Sequence, residues 1–140
     1  MKLLAMPAGD RRLLVRALCL VFGFRVALHV MDWSRIRALA ARSEGRSAVL
    51  AKLPPVRLAW AVRAAARRVP GATCLTQSLA LRHLLAKAGH APEIRIGVAR
   101  SEHGGLDSHA WVVCHGSVLV GDTGDLERYH PLMAMGTRQK

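Results

Sequence analysis

Val69-Pro70-Gly71-Ala72-Thr73-Cys74-Leu75-Thr76-Gln77-Ser78-Leu79-Ala80-Leu81 is the stretch on which the fold turns. Pro70-Gly71 ends whatever helix precedes it. A helical pattern restarts at about Thr73, with Leu75, Leu79, Leu81, Leu84 and Leu85 as its apolar stripe and Gly89 as its stop. The spacing therefore predicts a helix over residues 73–88 with Cys74 in its first turn. Free backbone N–H groups and the helix dipole favour an anion at such a position, and a thiolate is such an anion. Cysteine is also among the residue types most often buried as small apolar groups. Position alone leaves both roles open.

Towards the N-terminus the pattern is helical. Leu13, Leu14, Ala17, Leu18, Val21 and Phe24 recur at helical spacing over residues 10–30, with Asp10 as the expected N-cap. Asp32 or Ser34 starts a shorter helix through Ile36, Leu39 and Ala40, which Ser43-Glu44-Gly45 breaks. A further helix is expected over residues 55–69 with Pro55 in its first turn. Its expected apolar face is Val56, Ala59, Trp60 and Val62, and Arg57, Arg63, Arg67 and Arg68 form the wet face.

Beyond Gly89 the period changes. Ile94, Ile96 and Val98 alternate with polar or small residues over 93–99, which reads as a strand. Residues 109–114 and 117–122 read as two more, while 126–135 is ambiguous. Helices followed by a small antiparallel sheet make an α+β chain. It is read as one domain, 1–140, with a helical, Arg-rich part over 1–69 and the cysteine helix plus strands over 70–140.

On the strand at 107–114, Asp107, His109, Trp111 and Val113 share one face, and Ala110, Val112 and Cys114 the other. His109 is the candidate base. Cys114 points away from it and reads as core. His115-Gly116 is a plausible two-residue hairpin turn. With that turn His109 lies across from Asp122, and opposed residues are within hydrogen-bonding reach. A turn at Gly116-Ser117 would set Gly124 opposite His109 instead. Asp107 is the alternative carboxylate, and a plain surface His–Asp contact is the alternative to a functional pair. A cysteine, a base and a carboxylate in that order suit nucleophilic catalysis through a thioester.

Composition sets the remaining bounds. The 140 residues carry 51% hydrophobic side chains and only 4% aromatic ones, which argues for a folded core built on Leu, Val and Ala. Cys19, Cys74 and Cys114 show no Cys-x-x-Cys spacing. Neither a disulfide scaffold nor a structural zinc site is expected. His29, His83, His90, His103, His115 and His130 show no ligand-like spacing, so no metal is assigned. No phosphate-cradling loop is present, and no cofactor is assigned. The most apolar run, residues 17–24 between Arg16 and Arg25, is shorter than a bilayer span, and no small-residue cleavage site follows it. A cytoplasmic protein without a transmembrane segment is expected. The net charge is +12, and residues 1–70 carry 14 basic against 3 acidic residues, whereas 71–140 carry 7 against 6. That split suggests an acidic partner, an anionic membrane face or nucleic acid, or simply a solvated face.

The run from Val69 to Leu81 resembles the transglutaminase-like leader peptidases of lasso-peptide biosynthesis, together with Gly89, Ile96-Gly97-Val98, His109-Ala110-Trp111-Val112 and Gly121-Asp122. The likeness covers about residues 55–135. It is carried most specifically by the Pro-Gly-x-x-Cys-Leu helix start and by the His-Ala-Trp strand with Asp122 after it. The resemblance implies a papain- or transglutaminase-like core, with a nucleophile helix packed on a small antiparallel sheet. It implies removal of the leader from a ribosomally made precursor, with Cys74 as nucleophile, His109 as base and Asp122 as orienter. The helical first 70 residues match the stand-alone form, which implies a separate leader-recognition protein and a macrolactam cyclase as partners. Thr76-Gln77 departs from the family pattern, in which proline is common.

Two rivals stand beside this reading. An acyl transferase would use the same three residues with an amine in place of water. A basic module binding nucleic acid or a partner would use the Arg-rich helices. The chain lacks the interleaved aromatics and motifs of nucleic-acid binders, so no nucleic acid is expected.

Overall fold

A computed structural model describes residues 7–41, 47–122, 124 and 126–136. Five helices come first: α1 (Ala8–Val30), α2 (Trp33–Ala41), α3 (Ala48–Ala51), α4 (Pro55–Ala66) and α5 (Cys74–Lys87). Four strands follow: β1 (Glu93–Arg100), β2 (Leu106–Cys114), β3 (Ser117–Val120) and β4 (His130–Gly136), with a short 3-10 turn over Leu126–Arg128. The expected α+β order is present. The ambiguous tail resolves into that turn and β4, and α3 was not anticipated. The expected break at Ser43-Glu44-Gly45 lies outside the described residues.

The strands form one antiparallel sheet in the order β3-β2-β1-β4. Three hairpin-linked strands with the fourth returning beside the first make a Greek-key order. α5 is central: it packs on α1, α2 and α4 on one side and on the sheet on the other. The sheet meets it through Ile94, Ala110, Val112, Cys114 and Val120, each at most 3% exposed. Leu79, Ala80, Leu81, Leu84 and Leu85 of α5 fill the middle of the core with no exposure. Burial of these side chains contributes roughly 1.5–3 kcal/mol for each large one.

The helices differ from expectation in two details. Pro7 rather than Asp10 stands at the N-cap of α1. Asp10 sits in the first turn, where its charge complements the dipole, and pairs with Arg57 of α4. On α4 the buried face is Leu58, Ala59, Ala61, Val62, Ala64 and Ala65, whereas Val56 is exposed and Trp60 half-buried under the Arg57 guanidinium. Arg63 does not lie free on the wet face. It donates to the Leu119 carbonyl at 2.9 Å and ties α4 to β3.

α1 spans 23 residues and is, by length and composition alone, apolar enough to cross a membrane. The apolar run at 17–24 therefore understated this helix, whose apolar character continues past Arg25 to Val30. One face of it, Leu13, Leu14, Ala17, Val21, Phe24 and Ala27, is buried in the core against α4 and α5. Val15, Phe22, Val26 and Val30 on the other face are exposed.

Candidate active site

Local chemistry fixes the start of α5. Arg25 of α1 donates to the Pro70 carbonyl, and Gly71 takes the left-handed conformation at φ 80°. Thr73 is the N-cap: its hydroxyl oxygen accepts from the Thr76 N–H at 3.3 Å and lies 3.1 Å from the Thr76 hydroxyl. Its carbonyl takes the Gln77 N–H at 3.0 Å. The amides of Cys74 and Leu75 thus begin the helix without an acceptor inside it. Cys74 is half-buried, with its flank on the core. A half-accessible sulfur beside unused N–H donors is a suitable place for a nucleophilic thiolate and for a developing oxyanion.

His109 lies on the opposite partner of that packing, β2. It is half-buried, and its Nε2 lies 2.6 Å from the Gly121 carbonyl oxygen. A carbonyl only accepts, so Nε2 carries the proton and Nδ1 is the basic nitrogen of the neutral ring. The Trp111 ring stacks near it at 5.9 Å and 23°, and Tyr129 at 5.4 Å and 33°. His109 and Trp111 share the sheet face opposite Ala110 and Val112, as the alternation along β2 predicts, and the Tyr129 ring lies near both. Beside them runs an open groove of about 580 Å³ whose floor includes Trp111, Tyr129, Leu126 and Pro131.

Residues 18–134 match the family model described as Transglutaminase-like superfamily. This chain belongs to that superfamily. No curated protein and no solved structure matches it. A transglutaminase-like domain is an α+β enzyme domain of the cysteine peptidase or acyltransferase type, and the helix–sheet arrangement around α5 has that architecture.

In this transglutaminase-like chain the carboxylate is not where the hairpin register puts it. The turn is at His115-Gly116, with φ 53° and 79°, and the pairs Cys114↔Ser117 and Val113↔Val118 follow the expected register. A bulge between Val112 and Val113 then sets Val120 opposite Val112, one residue on. Beyond the last pair of that ladder the Gly121 carbonyl, rather than the Asp122 side chain, reaches the His109 ring. Asp122 is exposed, and its Oδ1 accepts from the Gly124 N–H at 2.9 Å. Among the described residues no hydrogen bond joins His109 to Asp122 or to Cys74. Asp107, the alternative carboxylate, pairs with Arg128 at 3.5 Å.

The other thiols contrast with Cys74. Cys19 is exposed on α1. Cys114 is buried, and burial pushes its thiol up from the ordinary range, which disfavours the thiolate. Sequence reasoning missed Gly121 and Tyr129. The signal for Gly121 was present, since glycine directly before a candidate carboxylate marks a special backbone position. Nothing in the sequence marked Tyr129, which reaches the site only because β4 returns beside β1.

Proposed function

We propose that this transglutaminase-like enzyme is a cysteine peptidase that cuts the leader from a ribosomally made lasso-type precursor. The observation that carries the reading is Cys74 at the Thr73-capped start of the central helix of the domain. In the proposed cycle His109 Nδ1 takes the Cys74 thiol proton, and the thiolate adds to the carbonyl at the leader–core junction. The oxyanion meets backbone N–H groups at the start of α5. Collapse of the tetrahedral adduct breaks the C–N bond, and His109 returns the proton to the leaving amine. Water, deprotonated by His109, then hydrolyses the thioester and restores the thiol. Cys74 and His109 share no hydrogen bond among the described residues, so the proposed proton transfer belongs to the substrate complex. The Gly121 carbonyl orients His109, and Asp122 stabilises the imidazolium through its charge.

The groove beside Trp111 and Tyr129 is the proposed seat of the peptide. A separate leader-recognition protein delivers the precursor, and the macrolactam cyclase takes the product, all in the cytoplasm. The basic half of the chain is the proposed docking surface. Its free cations are better sought on α1, where Arg12 and Arg16 are exposed, than at Arg63, which holds β3.

Mass spectrometry of a precursor incubated with the enzyme and a leader-binding partner tests the reading, with and without a primary amine. A free carboxylate at one leader-sized cut is the expected product. An amide formed only with the amine would assign the acyl-transfer reaction instead.

A further inference from the structure

We propose that His90, Cys114 and His115 form a binding site for a divalent transition metal ion of the zinc class, at the end of α5 remote from Cys74. The residues are 25 positions apart in sequence at their widest, so no spacing rule reveals them. His90 follows Gly89, just past the last turn of α5, and its N–H donates to the Leu85 carbonyl at 2.9 Å. Cys114 is the last residue of β2, and His115 is the first residue of the hairpin turn. One donor atom from each lies within 4.8 Å of the other two. His90 Nδ1 and His115 Nε2 are 3.0 Å apart, with the rings perpendicular at 88°.

Those distances fit a tetrahedral ion. Bonds of about 2.0 Å to nitrogen and about 2.3 Å to sulfur put donors roughly 3.3–3.6 Å from one another. The two nitrogens need to open by only about 0.3 Å, and the thiol to close by about 1.3 Å at most. Two imidazoles and a thiol select zinc, cobalt or nickel over magnesium or calcium, which take oxygen donors. The protein also presents the site at some expense. His115 holds a left-handed backbone at φ 53°, where Asn or Gly is the usual residue. The second ring nitrogen of His90, Nε2, is buried with no hydrogen-bond partner among the described residues. Three protein donors leave the fourth position to water.

α5 has 14 residues, so this site lies about 21 Å along the helix from Cys74 at 1.5 Å per residue. The ion would not act on substrate. It would join the C-terminal end of the nucleophile helix to the hairpin that carries His109 and Gly121, and so fix two elements of the active site relative to each other.

Cobalt(II) titration of the reduced full chain tests this. The expected result is one equivalent bound with a thiolate-to-cobalt charge-transfer band, kept in Cys19→Ser and Cys74→Ala and lost in Cys114→Ala. His115→Asn retains a residue that tolerates the left-handed turn. It should weaken cobalt and zinc binding at least about tenfold while leaving the metal-free melting temperature unchanged. Zinc should raise the melting temperature of the wild type and not of His115→Asn. A missing thiolate band, a band lost with Cys19 or Cys74 instead, or equal binding by His115→Asn would overturn the proposal. The His115→Asn comparison decides the matter if Cys114→Ala fails to fold.

Discussion

His109 Nε2 sits 2.6 Å from the carbonyl oxygen of Gly121, so a backbone group, not a side chain, holds the imidazole in the structure. The contact forms just past the end of β3, whose pairing with β2 steps by one residue at a bulge between Val112 and Val113. Gly121 fits there only as glycine. Its φ is 90°, and a Cβ would stand 2.6 Å from the Ala110 carbonyl oxygen and 2.8 Å from the Trp111 Cβ.

Gly121→Ala should therefore lose activity and about 1–3 kcal/mol of stability, since backbone must shift as well as adopt a disfavoured φ. Gly124→Ala is the control. It shares a positive φ of 84°, but open space surrounds its Cβ, so only about 1 kcal/mol of strain applies. Urea unfolding of both variants measures the difference, and equal losses would remove the close-packing argument.

Asp122→Asn should lower the leader-cleavage rate far less than His109→Ala. The Gly121 carbonyl still orients the ring when the carboxylate is gone, and only its charge is lost. Removing the base should cost about 10²–10⁴-fold, and removing Asp122 should cost clearly less, because the Gly121 carbonyl still holds the ring. Single-turnover rates on one precursor compare the two. A loss with Asp122→Asn as large as with His109→Ala would mean that the carboxylate itself holds the ring during reaction.

Thr73→Ala should destabilise the fold by about 1 kcal/mol through the lost N-cap. It should also slow alkylation of Cys74, because a frayed first turn no longer presents its N–H groups to a thiolate. Thr73→Ser should restore both. Denaturation midpoints and iodoacetamide labelling followed by peptide mapping report the two effects separately.

Acid should weaken the fold through His83. Burial, then Lys87, Arg16 and Arg82, all push its pKa below the ordinary value. A depressed histidine is neutral in the folded state while the unfolded chain still takes up the proton, so stability is full above about 6.5, the unfolded value, and is lost as pH falls towards the folded pKa. His90 is lowered too, by burial and by His115, and adds to the same slope. His83→Gln should flatten the fall in stability below pH about 6.5 without abolishing it. An unchanged slope in unfolding titrations would contradict this.

What was legible in the sequence was local. Pro70-Gly71, the leucine spacing of α5 and the His115-Gly116 turn each act within a few residues, and the structure has all three. The side-chain alternation that turned Cys114 away from His109 also holds. What was hidden depends on distant pairing. A bulge has no composition of its own, so the one-residue step at Val112/Val113 could not be read from the sequence. β4 was ambiguous because His130-Pro131 breaks the strand pattern, yet it pairs with β1 from Glu93↔Gly136 to Val98↔His130. Its return carries Tyr129 to His109. The His90–Cys114–His115 cluster was invisible for the same reason: helix end and hairpin turn meet only in the folded chain.

The central claim, that Cys74 is the nucleophile of a leader-cutting enzyme, is tested most directly by mass spectrometry of a lasso-type precursor treated with wild type and with Cys74→Ala, each with the same leader-binding partner. One leader-sized cut by the wild type and none by Cys74→Ala is the expected result. An equal cut in both samples would contradict the account, because the chemistry would then owe nothing to the start of α5.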